Sequence, residues 1–123
     1  MDLESRLQYY EAFIMIRDIL RCGIEATEDR IQRRLYPPGL SAGLHIAAID
    51  LRCELAALEH KRAGYDANIS RALVPKTTEF QTLQMILDDM KSLHGEAQFL
   101  YALRGLTEEG LAAFDRIQPA PNR

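Results

Sequence analysis

The apolar residues of this chain fall three and four positions apart along most of its length, and that spacing admits little other than a helical fold. The cleanest line is Leu40, Leu44, Ala48, Leu51, Leu55 and Leu58, with Ile46, Ile49, Cys53 and Ala56 forming a second line beside it. So broad a face predicts packing against two neighbouring helices rather than one. In the first segment Leu3, Leu7, Tyr10 and Ile14 keep the spacing, and Phe13, Ile16 and Leu20 widen it. Further on, Phe80, Leu83, Leu87, Met90 and His94 share one face, and Leu111, Phe114 and Ile117 share another. Polar and apolar residues alternate over no sustained stretch, and no Asn-Gly or Asp-Gly joins two β-branched runs, so strands are not expected. The fold class is all-α.

A chain of 123 residues suffices for one hydrophobic core without disulfides or metal. We therefore expect a single helical domain over residues 1–118 and a frayed tail, "PAPNR", over 119–123. Apolar residues at 47% and charged residues at 27% are globular values and exclude wholesale disorder. The net charge of −3 disfavours a non-specific nucleic-acid binder. "MDLESRLQYY" lacks the basic-then-apolar order of a signal peptide, and runs such as "FIMI" and "IAAI" fall far short of the ~20 residues of a membrane span. With Cys22 and Cys53 its only cysteines, and no CxxC, the chain reads as a cytoplasmic protein with reduced, largely buried thiols. Twelve arginines against three lysines, with abundant Ala and Leu, suggest a GC-rich bacterial source.

Glycine and proline punctuate the helical pattern. Gly23, Gly64 and Gly105 lie 41 residues apart, each closely follows an arginine, and each precedes a shorter helical stretch that runs out at a proline. Read as helix stops, they predict long helix, glycine, short helix, proline, three times over, or about six to seven helices. Ser41, Thr77 or Thr78, and Thr107 are the expected N-caps, and Gly95 is expected to kink or split the helix that contains it. A repeat of this size predicts stacked helical hairpins; a compact irregular helical bundle is the alternative.

The last unit carries a more specific pattern. Tyr101, Gly105, Gly110, Phe114 and Ile117 place an aromatic late in one helix, a glycine near a turn, a small residue early in the next helix, then an aromatic and an apolar residue. Over about residues 97–121 this resembles the tetratricopeptide repeat, with Pro121 close to where the repeat's terminal proline falls. His94 and Gln98 depart from it, standing where the family prefers a large aromatic and a glycine. The resemblance implies stacked hairpins in which Gly110 lets two helices approach and Phe114 fills the space between them. It also implies a surface for protein binding, and compact helical-repeat proteins of this size serve in bacteria as secretion chaperones.

Catalytic patterns are missing from the sequence. It holds no phosphate-cradling glycine loop, no Gly-x-Ser-x-Gly elbow and no Glu-x-x-His pair, so no enzyme, cofactor or metal is expected. Binding remains. Of the adjacent Tyr9 and Tyr10, only one can lie deep in a stripe; Tyr10 fits the core line, so Tyr9 is expected to be exposed, and with Tyr36 it is a candidate contact to a partner protein. The expected role is an adaptor or small chaperone binding a peptide or partner helix, with a homodimer through the first and third helical segments compatible with it. A helix-turn-helix DNA-binding regulator spanning Thr27 to Arg52 is the alternative, with Arg30, Arg33 and Arg34 as its contacts.

Overall fold

A computed structural model describes residues 3–37, 39–67, 77–93 and 98–117. The all-α class holds, with four helices among these residues: α1 (Leu3–Arg33), α2 (Ser41–Ala67), α3 (Thr77–Lys91) and α4 (Phe99–Asp115). Among the described residues the expected six to seven helices reduce to four, because Gly23, Gly64 and Gly105 end no helix. Gly23 lies inside α1, Gly64 inside α2 and Gly105 inside α4. The hairpin turns expected at these residues are therefore not formed. The 119–123 tail, Pro75, His94 and Gly95 lie outside the described residues.

α1 is the axis of the fold, and α2, α3 and α4 all pack on it. Gly23 shows why it continues. A Cβ there would meet Leu103 Cδ1 at 3.2 Å, Leu51 Cδ1 at 3.3 Å and Met90 Sδ at 3.4 Å, so one residue from each of the other three helices converges on its bare backbone. A glycine within a helix costs about 1 kcal/mol relative to alanine, and here that cost is offset by packing that a side chain would obstruct. One turn on, the fully buried Thr27 donates its Oγ1 hydroxyl to the Gly23 carbonyl at 2.7 Å. Its polar group is thereby satisfied within α1.

The contacts also give the directions. Leu103 meets Gly23, Gly110 meets Ile16 and Ile19, and Phe114 stacks beside Phe13 and Tyr9, so α4 runs antiparallel to α1. α2 is antiparallel to α1 as well, since only residues 34–40 separate two helices that pack on each other, with Leu51 on Gly23 and Arg52 ion-paired to Glu28. At Gly110 a Cβ would stand 3.3 Å from Ile16 Cδ1, and this small residue lets α4 lie close to α1.

The inward face of α1 sits one position away from the expected line. Tyr9, Ala12, Phe13, Ile16, Ile19, Leu20 and Ala26 are buried, whereas Leu3, Leu7 and Ile14 are exposed. "FIMI" supports either register, and the ring of Phe114 decides between them: its centroid lies 6.3 Å from Tyr9 and 6.2 Å from Phe13. On α2, Leu44, Ala48, Leu51 and Leu58 are buried as expected, but Ile46, Ile49 and Cys53 face outward. On α3, Leu83, Leu87 and Met90 are buried and Phe80 is half-buried.

The helix ends follow backbone chemistry more than the expected caps. α1 closes with Arg34 at φ 55, the Arg34 N–H donating to the Ile31 carbonyl (3.2 Å) and the Leu35 N–H to the Arg30 carbonyl (2.9 Å). This paired arrangement is a Schellman end, with arginine at the left-handed position that glycine usually fills. Two residues later Pro37 meets a helix already finished. For α2 the first carbonyl to accept is that of Leu40, from Leu44 N–H at 3.1 Å, so Ser41 is already the first helical residue rather than the cap. Thr107 caps nothing. It stands inside α4 and donates to the Leu103 carbonyl at 2.7 Å.

Two sets of substitutions check this account. A Cβ on Gly105 would meet no atom within 4 Å, so Gly105→Ala should stabilise the fold by about 0.5–1 kcal/mol through helix propensity alone. Gly23→Ala should gain less or lose, since the methyls of Leu103 and Leu51 must give way, and Gly23→Leu should cost about 1–3 kcal/mol or more by overpacking. Urea unfolding of the variants side by side measures the order. Arg34→Gly should raise stability by about 1 kcal/mol by removing the left-handed penalty, read as a higher urea midpoint at unchanged slope.

Candidate functional site

α2 and α4 both lie against α1 but touch each other sparsely, and the space between them is a groove. α2 contributes Gly43, Ile46, Ala47, Asp50, Leu51 and Glu54; α4 contributes Leu100, Leu103, Arg104, Thr107, Glu108 and Leu111. Both sets advance by the same steps, three, one, three, one and three. Each wall is therefore a single helical face carried through three turns, roughly 16 Å at 1.5 Å per residue. Since α2 and α4 are both antiparallel to α1, the two faces run in the same direction.

The groove encloses a volume of about 410 Å³. Its floor is Leu51 and Leu103, both buried, resting over Gly23. At one end the walls meet, where a Cβ on Gly43 would lie 3.2 Å from Leu100 Cδ1. Ile46 stands on the lip with 58% of its surface exposed, and Leu100, Leu111 and Ala47 are half-buried. The polar residues occupy the rim: Asp50, Glu54 and Glu108 against the single Arg104, all exposed. None of these four joins an ion pair among the described residues. The result is an apolar trough with an acidic edge.

The residues singled out from sequence are placed elsewhere. Tyr9, expected to be exposed, is 1% exposed, because its ring is held between Tyr10 and Phe114. Tyr36 is half-buried against the core. Tyr101, expected to pack between hairpins, is 80% exposed on the outer side of α4, since Leu100 and Leu103 take the inward positions on that turn. Phe114 and Ile117 are buried, and Gly110 packs on α1. The Gly64 backbone is helical.

Two arginines of the basic cluster at the end of α1, Arg30 and Arg33, make contacts within the protein. The Arg30 guanidinium lies 4.2 Å over the Phe99 ring, a cation–π contact that ties the end of α1 to the start of α4. Arg30 Nη1 also donates to the Leu35 carbonyl at 3.3 Å. Arg33 pairs with Asp29 at 2.7 Å, and Arg34 forms the helix end. At the far limit of the same segment Arg52 is paired with Glu28.

Among the described residues, no group of three His, Cys, Asp or Glu side chains could hold a metal ion, and no helix is long and apolar enough to cross a membrane. Both cysteines are free thiols; Cys22 is half-buried and Cys53 is exposed, not buried as expected, because the second apolar line of α2 faces away from α1. Burial pushes the Cys22 thiol above its ordinary 9.0, helped by Glu25 and Asp18 and opposed by Lys91.

The groove was missed because its walls come from helices that are distant in sequence. The signal was nonetheless present in the broad face of α2. No protein-family description, curated protein or solved structure matches the chain.

The two cysteines should differ in reactivity. Near neutral pH a disulfide-exchange dye should titrate Cys53 quickly and Cys22 slowly, since burial and acidic neighbours keep Cys22 protonated. In denaturant both should react in a single fast phase. Equal rates in the folded protein would contradict the placement of α2.

Proposed function

We propose that the chain is a non-enzymatic interaction module, an adaptor or small chaperone, that holds a partner helix in the groove between α2 and α4. The observation that supports this reading is the matched periodicity of the two walls. Two parallel helical faces with the same three-four spacing over three turns form the receiving surface of a third helix, whose own residues at i, i+3, i+4 and i+7 fit between them. An apolar floor and exposed Ile46 supply the burial such a partner gains. A bacterial secretion chaperone, which shields an amphipathic helix of its client, is one concrete form of this role.

The test pairs two exposed apolar residues. Ile46→Ser removes a groove side chain, and Met85→Ser removes one that is 65% exposed on α3 and does not line the groove. A nuclease-treated affinity purification from the source cell should yield a stoichiometric protein partner with the unaltered chain and with Met85→Ser. Ile46→Ser should weaken its binding about tenfold, the loss expected for one large apolar side chain. Equal effects of both substitutions, or a partner insensitive to both, would remove the groove from the reading.

A further inference from the structure

We propose that the groove selects a basic amphipathic helix, one whose apolar face seats on Leu51, Leu100 and Leu103 and whose flanking lysines or arginines meet Asp50, Glu54 and Glu108. This deepens the interaction reading above and rests on it. Its own ground is the charge distribution. The rim carries three carboxylates against the single guanidinium of Arg104, and none of them is committed to an ion pair among the described residues. The apolar floor is common to many partners, whereas the rim discriminates between them. Charged groups at the edge of an interface contribute modestly to affinity but set on-rate and partner choice, because a like-charged partner is repelled before it docks.

The same distribution argues against a second copy of this chain as the occupant. An α2 face offered by a partner copy would bring its own Asp50 and Glu54 to an edge that already holds Asp50, Glu54 and Glu108. Like charges opposed across a rim penalise the pairing. A basic helix has the reverse relation to every carboxylate on the rim.

The experiment is a selection from displayed peptides of about four helical turns, with leucine fixed along one face and Lys, Glu, Gln and Ala randomised beside it, against the full chain at about 0.1 M salt. Lysine should be enriched at the flanking positions. Binding of the selected peptides should shift the amide resonances of Ala47, Leu103 and Thr107 and weaken as salt is raised. Asp50→Lys with Glu54→Lys should weaken the lysine peptides about tenfold and turn the selection toward glutamate. Glu108→Lys makes the same test on α4 should the α2 pair disturb the fold.

A selection without charge bias, binding indifferent to the charge reversals, a footprint away from the groove, or no binders at all would overturn the proposal. A doubling of mass that Ile46→Ser abolishes would also overturn it, by making a second copy the occupant. If the purified partner still responds to Ile46→Ser while lysine peptides show no preference, the charge proposal falls and the groove reading stands. If neither responds, both fall.

Discussion

The rest of the structure depends on the bare backbone at Gly23. Three side chains, Leu51, Met90 and Leu103, reach this one residue from three different helices, each within 3.4 Å of where a Cβ would be. Helices separated by ordinary side chains pack about 8–10 Å apart; a glycine at the crossing permits the near end of that range. α1, about 46 Å long from its 31 residues, can therefore carry three partners around one point along its length. Gly110 does the same for α1 and α4 one level further along, where its missing side chain admits Ile16 and Ile19. The aromatic trio of Tyr9, Phe13 and Phe114 then closes that end of the pair.

The groove is a consequence of this arrangement. Once α1 is surrounded by three helices, α2 and α4 are held on it independently, α2 by Leu51 and the Arg52–Glu28 pair, α4 by Leu103, Gly110 and the Arg30 contact to Phe99. The sides they turn toward each other therefore remain only partly covered, and Leu100, Leu111, Ala47 and Ile46 keep apolar surface open there. α3 and α4, by contrast, are only seven residues apart in sequence and are in contact.

The sequence carried the helical class and most of the core, because three-four spacing is a local property that any helical neighbour rewards. It misled wherever one residue type serves two ends. Glycine stops a helix by adopting a positive φ, and it also lets helices touch by lacking a Cβ; Gly23, expected as a stop, is of the second kind, and spacing along the chain does not distinguish the two. The residue that actually stops α1 at positive φ is Arg34, which no propensity argument selects. Threonine is similarly divided: Thr107, expected as an N-cap, returns its hydroxyl to the carbonyl four residues back instead of opening a helix, as Thr27 does within α1. Tyr9 and Tyr10 differ by one step of register, and the deciding ring, Phe114, lies at the opposite end of the chain.

The broad apolar face of α2 shows how a correct observation can lead to the wrong neighbour. Two adjacent apolar lines predict two packing partners. The line through Leu44, Ala48, Leu51 and Leu58 has one in α1, but the line through Ile46 and Ile49 has only the open edge of the groove and solvent. A scattered exposed isoleucine needs no explanation. Ile46 differs in that it also lines a trough whose opposite wall repeats the same steps, and that setting distinguishes it from ordinary exposure. On the proposed reading, the second neighbour that the sequence of α2 is patterned for is the partner helix in the groove. That is why the fold can leave this line open without losing its core: the buried residues of α2, Leu44, Ala48, Leu51 and Leu58, belong to the other line.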